Sequence, residues 1–417
     1  MSVRAKTLSL VALSSLLGLS ACGGGMAGDS DDTAGFEYDA EQSSVDDAIG
    51  DLDPVNITFQ TLPGSEQGLM GGQAILFQDL VEERSNGQIE VEIIWGMGAA
   101  GFDEVRQAVV DGRIDIGYTN PIYYPEEFPV MNAYATASAL IPTDPFKGEL
   151  VAQAVGRELA VSDQAINEEF ASQDLVPLVH IMNNGYVNMC NQPVRELDEF
   201  SGQQVRIPSV AQSTIVSELG GTGVSMDITE TYEALQRGTV SCIFTQAADS
   251  VEFGYADVAT EVGYAEEHFI HRSPAVMFAG PAFNDLPLPY QQILYDGLNE
   301  SIAPWTKGGI DGWAQSFERA LDAGGSIEPL SDDTEDAIGS VTDDLIEGHI
   351  EDGDLPESIR EDIAQFEEKW DARATELGYE NGGDIADLAD WYEEDVDLEP
   401  WFEELTGDES LTGQRPE

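Results

Sequence analysis

One arginine stands out among the residues that could do chemistry. Arg206 lies between Val205 and Ile207 in an otherwise apolar strand pattern, in a chain with only 17 Lys and Arg residues. A buried guanidinium needs a carboxylate or several acceptors, because an unpaired buried charge costs several kcal/mol. Its planar N–H fork fits a ligand carboxylate, but a structural ion pair with a nearby Asp or Glu fits the residues equally well.

Motifs of common enzyme classes are missing. The sequence has no G-x-S-x-G, no H-E-x-x-H and no Walker loop, which argues against a hydrolase or nucleotidase. His268 and His271 have the only spacing that suggests a metal ligand pair, and an ordinary surface or hinge pair is the simpler interpretation. We therefore predict no catalytic residues, no metal and no cofactor.

The charge of the chain is extreme for its 417 residues. Asp and Glu number 80, which gives a net charge of −63, and only four of the basic residues are lysine. A nucleic-acid partner is excluded, because binding to phosphates needs basic surface. Acidic residues spread along the whole chain predict adaptation to molar salt, where the Debye length falls to about 3 Å and repulsion is screened.

The N-terminus has the layout of a secretory signal. Arg4 and Lys6 precede an apolar run that ends at Leu19, and Cys22 follows in the order Leu-Ser-Ala-Cys. This order resembles a bacterial lipobox and predicts a signal peptide over residues 1–21 with lipid attachment at Cys22, although an ordinary signal peptide remains the alternative. The acidic segment 22–53 is predicted to be a flexible tether to the membrane, which makes the mature protein extracytoplasmic.

The body of the chain contains two copies of the same strand–helix pattern. Residues 108–114 and 234–240 align without gaps at a helix-to-strand joint, and Gly112 and Gly238 follow the two helices. Alternating strands and helices predict an α/β fold with two lobes, each a mainly parallel sheet flanked by helices. Ligands bind beyond the carboxyl ends of such strands, where Tyr118, Thr119 and Thr245 fall.

The predicted lobes are built from separate segments. Lobe 1 takes residues 54–182 and is completed by about 271–315, and lobe 2 takes 183–270 and is completed by about 316–377. Residues 378–417 form an acidic C-terminal appendage, either helical or partly ordered. Cys190 and Cys242 could pair in an oxidising compartment, but the spacing does not decide it.

Several segments together resemble a known family. The order and spacing are similar to the solute-binding proteins of TRAP transporters (DctP type), which have the two-lobed periplasmic-binding-protein fold (class II-like). The segments that carry the resemblance are residues 80–87, 108–115, 193–194, 197–208 and 232–240.

The resemblance implies a ligand-binding role for Arg206, since the Arg of the Arg-Ile/Val-Pro strand clamps an organic acid in that family. Tyr186 occupies the place of a second Arg found in many members, and Thr245 matches a common Asn. The ligand-binding residues expected are Arg206, Tyr186, Thr245, Thr119, Tyr118 and Trp95.

The implied function is capture of a small organic acid for a cation-coupled TRAP-type membrane permease. Two other functions remain open from the sequence. A receptor of an ATP-driven importer or sensor system would share the fold, and an extracellular hydrolase would need a nucleophile–base pair in the cleft.

Overall fold

The computed structural model of the chain describes residues 34–408, 411 and 414–417. The predicted signal peptide, the predicted lipid-attachment residue Cys22 and the first part of the predicted tether lie outside these residues. The described part is an α/β protein with two sheets flanked by helices, which confirms the predicted two-lobed architecture. Within it, no helix is long and apolar enough to cross a membrane.

Eleven strands of the described residues form the two sheets. They are β1 (Val55–Gln60), β2 (Ile89–Ile94), β3 (Ile116–Thr119), β4 (Val176–Met182), β5 (Tyr186–Cys190), β6 (Gln204–Ile207), β7 (Thr222–Ser225), β8 (Cys242–Gln246), β9 (Glu261–Tyr264), β10 (Pro274–Ala279) and β11 (Ser326–Pro329). Lobe 1 holds the order β2-β1-β3-β10-β4, and lobe 2 holds β11-β9-β5-β8-β6-β7.

Each sheet is parallel apart from one strand. β10 runs antiparallel to β3 and β4, and β5 runs antiparallel to β8 and β9. Each is the first strand after the chain crosses from the other lobe. Each therefore begins at the gap between the lobes, where the parallel strands of its sheet end. Because only residues 183–185 separate β4 from β5, the carboxyl ends of the parallel strands face the gap between the lobes.

Helices cover the sheets and also join the lobes. They are α1 (Gln42–Ile49), α2 (Gly72–Arg84), α3 (Val105–Val110), α4 (Pro129–Ala137), α5 (Lys147–Ser162), α6 (Gln164–Ala171), α7 (Val210–Glu218), α8 (Thr231–Arg237), α9 (Ala247–Glu252), α10 (Leu288–Glu300), α11 (Ala303–Asp322), α12 (Asp332–Asp352), α13 (Ile359–Glu376), α14 (Leu388–Trp391) and α15 (Glu399–Gly407). Two of them bridge the lobes, since α11 packs on both α2 and α9 and α12 packs on both α4 and α7.

The two repeated joints have the same backbone geometry. Gly112 follows α3 with a φ of 70°, and Gly238 follows α8 with a φ of 70°. This left-handed conformation ends a helix at little cost in a residue without a Cβ atom. It turns the chain into β3 in lobe 1 and β8 in lobe 2, the strands that lead to the gap.

The tether prediction is wrong for residues 34–53. Residues 42–49 form α1, and Val45 and Ile49 are fully buried against lobe 1, where α1 packs on α10. The sequence of this segment is acidic, but its apolar residues are four apart and share one helix face. Burial of that face outweighs the flexibility that the composition suggests.

The C-terminal appendage packs on lobe 1. Trp401 of α15 is fully buried, with its ring 5.6 Å from that of Trp370. The last residues meet the N-terminal segment on α10, because Arg415 pairs with Asp296 at 2.8 Å and lies over the ring of Phe36. The C-terminal appendage is therefore a packed element rather than a loose tail, in spite of its acidic composition.

The structure corrects the predicted place of α13. The sequence division put residues up to 377 with lobe 2, whereas α13 packs on α5 of lobe 1. The indole nitrogen of Trp370 donates to Glu158 of α5 at 2.6 Å, and Ile359 and Ile363 are buried. Helix periodicity shows which face is buried but not which partner it meets, so the lobe could not be chosen from spacing.

Cys190 and Cys242 form a disulfide in lobe 2. They are directly opposite each other where β5 pairs with β8, with their Cα atoms 4.1 Å apart. The bond joins residues 52 positions apart and fastens the antiparallel strand β5 to its neighbour. It thereby supports the strand that brings Tyr186 to the gap between the lobes.

Candidate functional site

A small cavity of about 20 Å³ lies between the two lobes at the carboxyl ends of the strands. Its aromatic wall is formed by Phe102, Tyr118, Tyr123, Tyr186 and Trp305. Its amide and charged side chains are Asn120, Asn183, Arg206, Gln246 and Asp249. Two larger grooves lie on lobe 1 beside α2 and α10, away from the strand ends. Apolar walls with a few converging polar groups are typical of a small-molecule site.

Arg206 is the cationic group of this cavity. It lies on β6, is 1% exposed, and its Nε and Nη2 atoms donate to the carbonyl oxygen of Met226 at 3.2 and 3.1 Å. The side chain of Tyr123 is a further hydrogen-bond partner. Among the residues that the structure describes, no carboxylate forms an ion pair with Arg206 within 4.0 Å. With no carboxylate of the described residues at contact distance, the guanidinium can form charge-assisted hydrogen bonds to an anion.

Asp249 is the acidic group of the same cavity. It lies in the first turn of α9 and is 4% exposed. Burial raises the pKa of Asp249 to about 7, and the attraction of nearby Arg206 only partly opposes that rise. Its carboxyl group forms no hydrogen bond with any other described residue. The cavity thus contains a guanidinium group and a carboxyl group, and neither forms an ion pair with a described residue.

The structure brings together only some of the predicted ligand-binding residues. Arg206, Tyr118 and Tyr186 line the cavity, whereas Thr119, Thr245 and Trp95 do not. Thr119 follows Tyr118 on β3, and Thr245 precedes the lining residue Gln246 on β8. Successive side chains of a strand point to opposite faces, so both threonines are turned away. Trp95 follows β2 and packs, half-buried, against the core of lobe 1.

A buried ion pair connects the first two chain crossings between the lobes, which are residues 183–185 and 265–273. Arg272, in the second crossing, donates to Glu149 of α5 at 2.7 Å, and both side chains are almost fully buried. Glu149 also accepts hydrogen bonds from Asn184 and the backbone N–H of Gly185, in the first crossing, at 3.0 and 2.9 Å. Arg272 donates to the carbonyl oxygen of Asn183 at 3.3 Å. The network fixes the backbone that presents Asn183 to the cavity.

Sequence reasoning missed seven lining residues with polar or aromatic side chains, one of which is Trp305 of α11. The other six are Phe102, Asn120, Tyr123, Asn183, Gln246 and Asp249. Asn120 and Gln246 lie one position beyond the residues chosen at the ends of β3 and β8, so strand alternation could have found them. No sequence signal singles out Asp249 among 80 acidic residues.

The histidines have separate partners. The ring of His268 is half-exposed, with Nε2 3.9 Å from Asp336. His271 is buried in the second crossing, where Nε2 lies 3.0 Å from the hydroxyl oxygen of Ser209. Burial lowers the pKa of His271 to about 4, which keeps its ring neutral. Over the described part of the chain, no three His, Cys, Asp or Glu residues are arranged to hold a metal ion.

Comparison with known families identifies this architecture. The sequence model of bacterial extracellular solute-binding protein family 7, DctP, matches residues 62–346. The chain belongs to the DctP family. It is a solute-binding protein, as the family description states. The match contains both sheets except strand β1, and it leaves α1 and the helices from α13 onwards outside.

Solved structures share the fold at low sequence identity. A TRAP solute-binding protein from a marine metagenome, specific for aromatic acids and solved with metahydroxyphenylacetate, is 19% identical with a TM-score of 0.65 over 76% of this chain and 99% of its own. A marine metagenome protein with co-purified pyroglutamate is 15% identical, with a TM-score of 0.64 over 76% and 100%. One from Rhodoferax ferrireducens with copurified benzoate is 16% identical, with a TM-score of 0.63 over 78% and 99%.

Proposed function

We propose that this DctP-family receptor captures a small organic acid between its lobes and delivers it to a cation-coupled TRAP-type membrane permease. One observation carries the proposal: the buried guanidinium of Arg206 lines the cavity and has no carboxylate ion-pair partner among the described residues. A ligand carboxylate would supply the missing partner and form charge-assisted hydrogen bonds to the planar N–H fork.

Relatives of the same fold support the ligand class. The solved TRAP proteins hold metahydroxyphenylacetate, pyroglutamate and benzoate, and all three ligands are carboxylic acids. The aromatic rings around the cavity of this chain suit the body of such an acid, with Tyr118 and Tyr186 contributed by different lobes. A ligand that touches both lobes favours the closed arrangement over the open one.

The net charge of −63 is compatible with an anionic ligand. Exposed carboxylates act over distances that salt screens, with a Debye length of about 8 Å at physiological ionic strength and about 3 Å at 1 M. Arg206 is buried beside the ligand site, so its attraction is screened far less. Local chemistry in the cavity therefore decides the affinity.

Loss of the guanidinium tests the proposal. Native mass spectrometry of the purified protein should identify a co-purified carboxylic acid, whose binding to ligand-free protein is then measured by calorimetry. We expect Arg206→Ala to weaken binding at least about 100-fold, because a buried charge-assisted hydrogen bond is lost. Arg237→Ala, which removes an exposed arginine of lobe 2, should leave the affinity unchanged.

Circular dichroism of both variants controls for folding. A native spectrum of Arg206→Ala together with wild-type affinity would contradict the proposed clamp. A co-purified ligand without a carboxyl group would contradict the ligand class.

The proposal also includes attachment to the membrane through a lipid on Cys22, which follows the lipobox-like order Leu19-Ser20-Ala21. This arrangement keeps the receptor near its permease. Mass spectrometry of the mature N-terminal peptide should find a diacylglyceryl group on Cys22 as the first residue. An unmodified Cys22, or cleavage at another position, would rule the attachment out.

A further inference from the structure

The cavity contains more hydrogen-bond acceptors than the protein satisfies. The carboxyl group of Asp249 accepts no hydrogen bond within 3.5 Å from a described residue, and the Oδ1 atom of Asn120 is buried without a partner. Both side chains are more than nine-tenths buried, at 4% and 6% exposed, and both line the cavity. Buried acceptors without donors are costly, so they mark places where a bound molecule supplies the hydrogen.

Asp249 has no structural task that would explain its burial. It lies in the first turn of the short helix α9, but the residue at the helix start is Gln246 and the Asp249 carboxyl group accepts no backbone N–H. It forms no ion pair with Arg206 at contact distance either. A carboxyl group in this setting is costly to the fold, since burial raises its pKa to about 7.

We infer that Asp249 is a specificity-determining residue that binds an O–H or N–H group of the ligand, assisted by the acceptor of Asn120. The ligand is then a carboxylic acid that also carries a hydrogen-bond donor, with its carboxylate on Arg206 and its donor on Asp249. This inference rests on the proposed function, because Arg206 must hold the carboxylate. It adds that an acid without such a donor binds less well.

The two acceptors, Asp249 and Asn120, also explain how the cavity would reject close analogues of the ligand. A site built to hydrogen-bond a substrate O–H or N–H group leaves its own buried acceptor unpaired when the analogue lacks that group. The aromatic wall cannot make this distinction, because rings of similar shape pack against it equally well. The carboxyl group of Asp249 therefore provides a selection that shape does not.

Two matched pairs of acids test the inference on ligand-free mature protein. The first pair is 3-hydroxybenzoate and benzoate, and the second is pyroglutamate and cyclopentanecarboxylate. In each pair only the first acid carries the donor. We expect the wild type to bind the donor acid of at least one pair about tenfold or more tightly than its partner, measured by calorimetry.

Variants of Asp249 assign this preference to the carboxyl group. Asp249→Leu keeps a similar size without an acceptor, and we expect the affinity ratio of the pair to fall to about one while the acid without a donor binds as well as before or better. We expect Asp249→Asn, which keeps one oxygen acceptor, to show an affinity ratio between that of the wild type and that of Asp249→Leu. Glu252→Leu, the other acidic side chain of α9, lies outside the cavity lining and should keep the wild-type ratio.

The outcomes separate this inference from the proposed function. If Arg206→Ala abolishes binding but Asp249→Leu keeps the wild-type ratio, the inference about Asp249 is overturned and the carboxylate clamp stands. If Arg206→Ala binds 3-hydroxybenzoate as the wild type does, the proposed function fails. Equal binding of both members of each pair by the wild type, or binding of none of the four acids, also overturns the inference.

Discussion

Glu149 is the residue that connects the first two chain crossings between the lobes. Glu149→Ala would leave the fully buried guanidinium of Arg272 without its carboxylate and remove the acceptor of Asn184. Loss of one partner of a buried pair costs about 3–5 kcal/mol, because the remaining charge is not compensated. We expect urea unfolding of the ligand-free variant to show a free energy of unfolding lower by that amount.

A matched pair on the surface provides the control. Arg237 and Glu233 are 2.8 Å apart on α8, and their side chains are 73% and 66% exposed. Exposed pairs of this kind contribute about 0–1 kcal/mol, so Glu233→Ala should change stability little at the same salt concentration. Equal losses in the two variants would mean that the buried network does not hold the crossings.

The residues that line the cavity between the lobes could be predicted from the sequence only in part. Arg206 was singled out because a cation is rare in an apolar strand of this chain, and Tyr118 because it falls at the end of a predicted strand. Tyr186 was singled out through the family resemblance alone. Thr119 and Thr245 are one position from lining residues, since a strand alternates its faces and spacing alone does not say which face meets the gap. Asp249 could not be found, because carboxylates are too common here to carry information.

Secondary structure was predictable where the conformational preferences of neighbouring residues determine it. The glycines at 112 and 238 mark the ends of α3 and α8, because they adopt the left-handed conformation that other residues resist. The packing partners of α1 and α13 were not predictable, because an amphipathic pattern predicts that one helix face is buried but does not identify the element that it packs against. The antiparallel direction of β5 and β10 likewise depends on the path between the lobes, which is a tertiary property.

At the scale of the whole molecule, repulsion between carboxylates opposes folding. The net charge of −63 is distributed over the chain, and α12 shows the local pattern. Asp344, Glu347 and Glu351 are exposed at spacings of three and four residues on this helix, in its C-terminal half. Like charges at these spacings repel each other, and negative charge near a helix C-terminus opposes the macrodipole.

We expect the thermal unfolding midpoint of the wild type to rise steadily with KCl from about 0.1 M to about 2 M, because salt screens this repulsion. The triple variant Asp344→Asn, Glu347→Gln, Glu351→Gln should be more stable than the wild type by about 1–2 kcal/mol at low salt, by the sum of the pairwise and dipole contributions. Differential scanning calorimetry across the salt series measures both effects.

The salt dependence of the difference between the two proteins identifies its cause. Screening removes the advantage of the triple variant, so the two unfolding midpoints should converge at about 2 M KCl. General salting-out of apolar surface would raise both midpoints in parallel and keep the difference constant, because the substitutions leave the apolar core unchanged. A constant difference, or a wild-type midpoint that does not rise with KCl, would therefore contradict adaptation to high salt through carboxylate repulsion.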